Sequence, residues 1–162
     1  MELLFIPVTI ILSEIGAYAW HRWGAHTNIL EVVKKTHDIH HEVIDDKAEG
    51  DFFYVCLLLF LYFNILLVLY IYTYITALLF FALYFPVLLI FFWNFYVHAA
   101  YHIENHWLNE YEWFRNDKRI HMHHHADPTK NFGIATHYTD LILNTYDSAF
   151  PINTEKQANR DY

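Results

Sequence analysis

Basic charge is scarce in this chain, and so is sulfur. Ten Lys and Arg stand against eighteen Asp and Glu, a formal net charge of -8. That balance speaks against nucleic acid as a partner, because such proteins present a basic face. A single cysteine, Cys56, excludes both an internal disulfide and a thiolate metal cluster. It sits in an apolar run, where a packed or lipid-facing role is expected. No repeat of solenoid length and no low-complexity tract is present. From Phe52 to Val97, 46 residues pass without one Asp, Glu, Lys or Arg. The length suggests one domain, expected over residues 1–152, followed by a polar tail over 153–162.

A bilayer core of about 30 Å takes about 20 apolar residues per helical crossing. The charge-free block is long enough for two, near residues 52–72 and 77–97, with a turn near Thr73–Thr76 and a kink at Pro86. Its many β-branched and aromatic residues do not indicate a sheet, since an open sheet cannot sit in lipid. Leu3–Trp20 is a third candidate crossing, about 27 Å long at 1.5 Å per residue. Ala17-Tyr18-Ala19 resembles a signal cleavage site, but the segment opens with Glu2 and no Lys or Arg, so an uncleaved helix is expected. All ten basic residues fall in Arg22–Lys47 or Arg115–Arg160. By the positive-inside rule, both regions face the cytoplasm. The expected fold is therefore all-α, an integral membrane helical bundle with a cytoplasmic histidine-rich metal-binding cap. The membrane would be the endoplasmic reticulum in a eukaryote and the inner or plasma membrane otherwise. Trp20, Trp23, Trp93, Trp107 and Trp113 lie near the inferred boundary, as in an aromatic belt.

What the chain has in abundance is histidine, thirteen residues in spaced runs. His21 and His26 form HxxxxH. His37, His40 and His41 form HxxHH, and His121, His124 and His125 repeat it. His98 and His102 form HxxxH, with His106 continuing the register, so that His98/His102 and His102/His106 are both open as the third pair. Residues three and four apart share a helix face, so each HxxHH projects together if Asn28–Lys47, stopping at Gly50, and the later segment are helical. His21 and His26 stand about 140° apart on an ideal helix. They converge only if the helix ends or bulges near Gly24. His123 lies about 100° from each neighbour and is expected to point away, as a surface residue. So many imidazoles near one membrane face exceed the needs of one zinc. Two metals sharing them is the economical reading, with Zn, Cu, Fe and Ni all suited to imidazole. No Glu-x-x-His occurs in the chain, which speaks against a ferritin-like site.

These runs, in this order and with the apolar hairpin between the second and third, resemble the fatty acid hydroxylase/sterol desaturase superfamily of integral-membrane di-iron enzymes. The resemblance spans Glu14 to Tyr146. Asn131-Phe132-Gly133 and Asp140-Leu141-x-x-Asn144-Thr145-Tyr146 are similar to the family's closing motifs. Asn144 replaces the usual Gly but tolerates a left-handed backbone. Against the family's usual pattern, one N-terminal membrane segment fewer is expected in these residues, and no cytochrome b5-like sequence accompanies them. The resemblance implies two irons, molecular oxygen and two electrons per turnover. The electrons would come from a separate donor, a cytochrome b5-like protein, a ferredoxin or a reductase. The substrate would be a lipid in the bilayer: hydroxylation of an acyl chain, sterol or related lipid, with desaturation or carotenoid hydroxylation as alternatives. Outside this class stand a bis-histidine haem electron carrier, to which the HxxHH triplets are surplus, and a metal transport or storage protein. A transporter would place ligands at mid-membrane, yet no histidine lies between Phe52 and Val97.

We assign ligand roles to His21, His26, His37, His40, His41, His98, His102, His121, His124 and His125. Zinc is an expected substitute for iron in recombinant protein, because it binds such ligands more tightly. Neutral imidazoles leave the metal charge unbalanced, and ligating histidines donate their other N–H to nearby groups. Asp38, Glu42, Asp127 and Asp140 are candidates for that role, with Asn131, His106 and His137. Glu14, seven residues before His21, lies on nearly the same face at a depth where an ionisable group faces a polar interior.

Overall fold

In a computed structural model, which describes residues 2–42, 46–71 and 75–148, all regular structure is helical. A 3₁₀ turn, Glu2–Leu4, leads into α1 (Phe5–Ala19), whose Pro7 falls in the first turn, where no intrahelical N–H is lost. The helix continues as a π-helical segment, Trp20–Ala25. A 3₁₀ turn, Asn28–Leu30, capped by the Thr27 hydroxyl, opens α2 (Glu31–Glu42). Then come the two long apolar helices, α3 (Asp46–Ile71) and α4 (Ala77–His102). A 3₁₀ turn, Trp107–Glu110, precedes α5 (Glu112–Ala126), and α6 (Tyr138–Ile142) follows a loop.

Several boundaries differ from those expected. α2 stops at Glu42, and Gly50, expected to end it, instead lies inside α3. A helical glycine costs about 1 kcal/mol relative to alanine, which the long apolar continuation of α3 outweighs. α4 runs five residues past Val97, carrying His98 and His102 on regular helix, and ends there as Ile103 turns extended. Pro86 lies buried within α4 without ending it. Thr76 caps α4, its hydroxyl accepting from the Leu79 N–H at 3.2 Å. The expected turn at Thr73 and the polar tail over 153–162 lie outside the described residues.

α1 packs along α4, and α2 along α3; α4 also meets α5, and α6 meets α1. Two small apolar cores flank the histidines. One joins Val97, Ala100, Tyr101, Leu108 and Phe114; the other joins Ala25, Val33 and Cys56. Most other large apolar side chains are exposed. On α4, Phe81, Phe85, Leu89 and Phe92 form an outward stripe, each at least half exposed, while Ala82, Pro86, Asn94, Val97, His98 and Tyr101 face inward. This inverted distribution suits lipid rather than water. Among the described residues, α4 is the one helix long and apolar enough to cross a membrane by length and composition.

Candidate metal centre

Four helical segments bring ten histidines together as two clusters of five. His21, His26, His37, His41 and His124 offer ring nitrogens within 4.8 Å of one another, and so do His40, His98, His102, His121 and His125. Each HxxHH run is therefore divided. Residues i and i+4 of the α2 run, His37 and His41, join the first cluster, while His40 joins the second. On α5 the assignment is reversed: His121 and His125 join the second cluster and His124 the first. The two clusters touch where the His41 and His125 rings stack at 4.2 Å.

The π-helical turn explains the first pair. A π-helix closes i→i+5 hydrogen bonds, so residues five apart come to one face. His21 and His26, divergent on an α-helix, thus approach to 5.1 Å between ring centres. Gly24 allows the turn to close: a Cβ there would meet the Trp20 indole at 3.2 Å. In the third run the pair is His98 and His102. His106 lies outside both clusters, accepting from the Leu108 N–H to cap the following turn and touching Tyr96.

The nitrogen geometry tests whether a metal fits. His37 Nε2 lies 3.1 Å from the Nε2 atoms of His21, His26 and His41. An imidazole nitrogen has one proton or one lone pair, so it cannot form three hydrogen bonds. His121 Nε2 likewise meets those of His102 and His125 at 3.0 and 3.1 Å. With metal–nitrogen bonds of about 2.1 Å, right-angled neighbours lie about 3.0 Å apart and tetrahedral ones about 3.4 Å. The observed edges of 3.0–3.1 Å are those of nitrogens close enough to share one ion. Burial pushes the His21, His37, His121 and His124 rings well below the usual histidine pKa, and neighbouring imidazoles add to this. His26 and His41 fall to about 4 and about 3, again chiefly through burial. Neutral imidazole is the form that binds metal.

Two ring orientations are fixed from behind. His21 Nδ1 lies 2.6 Å from the Phe132 carbonyl, and His124 Nδ1 lies 2.6 Å from that of Lys130. A carbonyl only accepts, so both Nδ1 atoms carry protons and both Nε2 lone pairs face the cluster. The loop supplying these carbonyls is tightly held. Asn131 has φ 52° and exchanges hydrogen bonds with the Asp147 backbone at 2.8 and 2.7 Å. Asp140 accepts from the Phe132 N–H at 2.9 Å, the Gly133 N–H at 2.7 Å and the Thr145 hydroxyl at 2.7 Å. At Gly133 a Cβ would stand 2.0 Å from the Thr136 carbonyl, so no larger residue fits.

The remaining sequence candidates have other settings. Asp38 pairs with Lys34 one turn back, Glu42 is exposed, and Asp127 accepts from Thr129 to begin a turn. Among the described residues, no hydrogen bond joins these three acids to a clustered ring. Glu14 accepts from the Thr136 hydroxyl at 3.1 Å, tying α1 to the loop after Gly133. His123 points away from both clusters as expected, but it is buried rather than on the surface. Its Nδ1 lies 3.2 Å from the Asp147 carbonyl. The Lys130 and Phe132 carbonyls were missed, because a backbone acceptor leaves no residue-type signal. Asp117 and Thr145 were also missed; Thr145 lay within a recognised motif.

His137 sits between Asp117 at 3.6 Å and Asp140 at 3.7 Å. Burial opposes its charge, but the two carboxylates overcome this and raise it to about 9. The folded state therefore holds this proton more tightly than the unfolded chain. The resulting stabilisation, on the order of 3 kcal/mol, is complete below pH 6.5 and lost as pH rises through about 9. Thermal unfolding in detergent across this range should show a wild-type advantage over His137→Gln at low pH that vanishes at high pH. A gap independent of pH would contradict the charged pairing.

Beneath the clusters lies a cavity of about 580 Å³ between α1, α3 and α4. Leu12, Leu59, Leu83, Val87, Ile90 and Phe95 are among its walls, and it reaches His21 of one cluster and His98 of the other. The Thr9, Ser13, Asn64 and Asn94 side chains on its wall each donate to a carbonyl of their own helix, four residues back, and the Asn94 Oδ1 accepts from the Ala135 N–H. The lining is thus effectively apolar up to the histidines.

Fold and site define an all-helical protein with twin histidine clusters able to hold metal, set at the end of an apolar cavity. Residues 6–145 match the fatty acid hydroxylase family, and the chain belongs to it. This family consists of membrane-associated, iron-using oxidoreductases of the lipid hydroxylase and desaturase type. No curated protein and no solved structure matches the chain.

Proposed function

We propose that this protein is a multi-pass membrane oxygenase that uses two irons and molecular oxygen to hydroxylate a C–H bond of a lipid. The observation that carries the reading is the cavity, apolar along its length, ending on one histidine from each cluster. If a methylene takes about the volume of a water, roughly 30 Å³, the cavity accepts an acyl segment on the order of 20 carbons or a sterol-sized body. A bound iron pair would activate molecular oxygen, the oxidant, for attack on an unactivated C–H bond, with two electrons from a separate donor. The chain's own residues bind the lipid, exclude water through the apolar wall, and hold His21 and His124 in the metal-binding tautomer. The basic residues on both histidine-bearing regions support a cytoplasmic metal site reached by a soluble or peripheral donor.

The test is comparative lipid mass spectrometry of cells expressing the wild-type chain or His124→Ala, with iron supplied because zinc competes for such ligands. Lipids heavier by one oxygen, seen with wild type and absent with the variant, are the expected result. Lipids lighter by two hydrogens would make the protein a desaturase. An unchanged lipid profile with iron-loaded protein would overturn both.

A further inference from the structure

The two clusters do not share the same support. Both histidines oriented by backbone carbonyls, His21 and His124, belong to the first cluster. Both carbonyls come from one short segment, Lys130–Phe132, and the adjacent peptide N–H groups of Phe132 and Gly133 are gripped by a single buried carboxylate, Asp140. The Thr145 hydroxyl donates to the same carboxylate oxygen that accepts from Phe132 and lies 2.9 Å from the hydroxyl of Tyr18 in α1, three residues before His21. In the second cluster, the Nδ1 atoms of His121 and His125 have no hydrogen-bond partner among the described residues.

We infer that Asp140 is a positioning residue for one metal subsite only, that of His21, His26, His37, His41 and His124, and that the two ions are consequently held unequally. The Phe132 carbonyl can aim at His21 only while the peptide plane following it is fixed, and the Gly133 N–H in that plane is bound by Asp140. The Phe132 N–H, in the preceding plane, is bound by the same carboxylate. The plane of the Lys130 carbonyl is held instead by the Asn131 N–H, which donates to the carbonyl of Thr145 at 2.9 Å, the residue whose hydroxyl grips Asp140. Loosening the carboxylate releases the His21 ring directly and, through Thr145, loosens the support behind His124. It leaves the second cluster's rings on α2, α4 and α5 without a direct effect. Partners that orient ligating histidines in this way are worth about 10–100-fold in metal affinity.

This inference rests on the clusters being metal sites, and the experiment separates the two claims. Cobalt(II) is titrated into the full-length apo protein in detergent, followed by its visible absorption and by metal count. His41→Ala and His102→Ala assign the bands to the first and second subsites. Asp140→Asn is expected to weaken the band lost in His41→Ala by about 10–100-fold and to leave the other unchanged. Equal weakening of both bands, or of neither, would overturn the inference. A wild-type chain that binds no cobalt would instead remove the metal-site reading itself. Should Asp140→Asn fail to fold, Thr145→Val against Thr145→Ser decides the same point. Valine lacks the hydroxyl that holds Asp140 and should weaken the first subsite selectively; serine keeps it and should not.

Discussion

His37→Ala and His124→Ala, in opposite halves of the chain, are expected to remove the same metal ion. His37→Ala and His40→Ala, three residues apart, are expected to remove different ones. The reason is the division of each HxxHH run. His40 and His41 lie about 100° apart around α2, so they straddle the boundary between the clusters, while His37 and His41 stack on one side of it. α5 presents the same arrangement to the opposite cluster. Each helix therefore contributes to both ions, and each ion is bound by both helices. Loss of a direct ligand should cost on the order of 100-fold or more in affinity, at or above the range for an orienting partner. The metal count should fall from two to one in each single variant and remain at one in the His37/His124 double. It should fall to zero in the His37/His40 double. Turnover should be lost in all of them, since residues acting as a unit are not additive. If the His37/His40 double retained one ion, or the His37/His124 double retained none, the pairing would be wrong.

Gly16→Leu is expected to lower turnover of lipids that fill the cavity by at least about 10-fold while leaving both metals in place. Gly16 lines the cavity, and a Cβ there would meet nothing within 4 Å. The substitution thus adds a side chain into open space in the last turn of α1 without a clash, and helix propensity even favours it by up to about 1 kcal/mol. It does occupy volume the substrate would use. A pocket discriminates a single methylene by about 1–3 kcal/mol, so an intruding isobutyl group should lower kcat/KM by at least about 10-fold for chains that fill the cavity. Turnover assayed alongside a metal count would show this. An unchanged turnover with both metals bound would mean that the lipid does not occupy this cavity.

Histidine spacing made much of the centre legible. On regular helix, HxxHH and HxxxH fix which rings can meet, and the order of the runs is enough to identify the family. The chain's helical class was equally legible, because a charge-free block of that length leaves few alternatives. The α2 boundary was not. Composition changes gradually from Lys34 to Asp51, and a single glycine is too small a penalty to mark a stop. The convergence of His21 and His26 was visible only as a condition, that the helix must bulge near Gly24. The bulge is a π turn, held by backbone bonds that no residue type announces. The acids were the weakest reading. Asp38, Glu42 and Asp127 were plausible from proximity in sequence, but each has a local partner or solvent. Asp140, the acid that does support the centre, acts on ligand rings through peptide groups rather than directly.

The sequence by itself determined the chemistry available: ten imidazoles at helical spacings, no thiolate alternative, and an apolar hairpin between two polar, histidine-bearing regions. Local periodicity is enough for that, because a helix fixes the direction of every side chain relative to its neighbours. Only the tertiary structure decided how the ten divide into two groups of five, which carbonyls orient which rings, and where the apolar cavity meets them. Those depend on the relative placement of α1, α2, α4 and α5 and of the loop after α5. That placement is set by packing between segments distant in sequence, which no local pattern encodes.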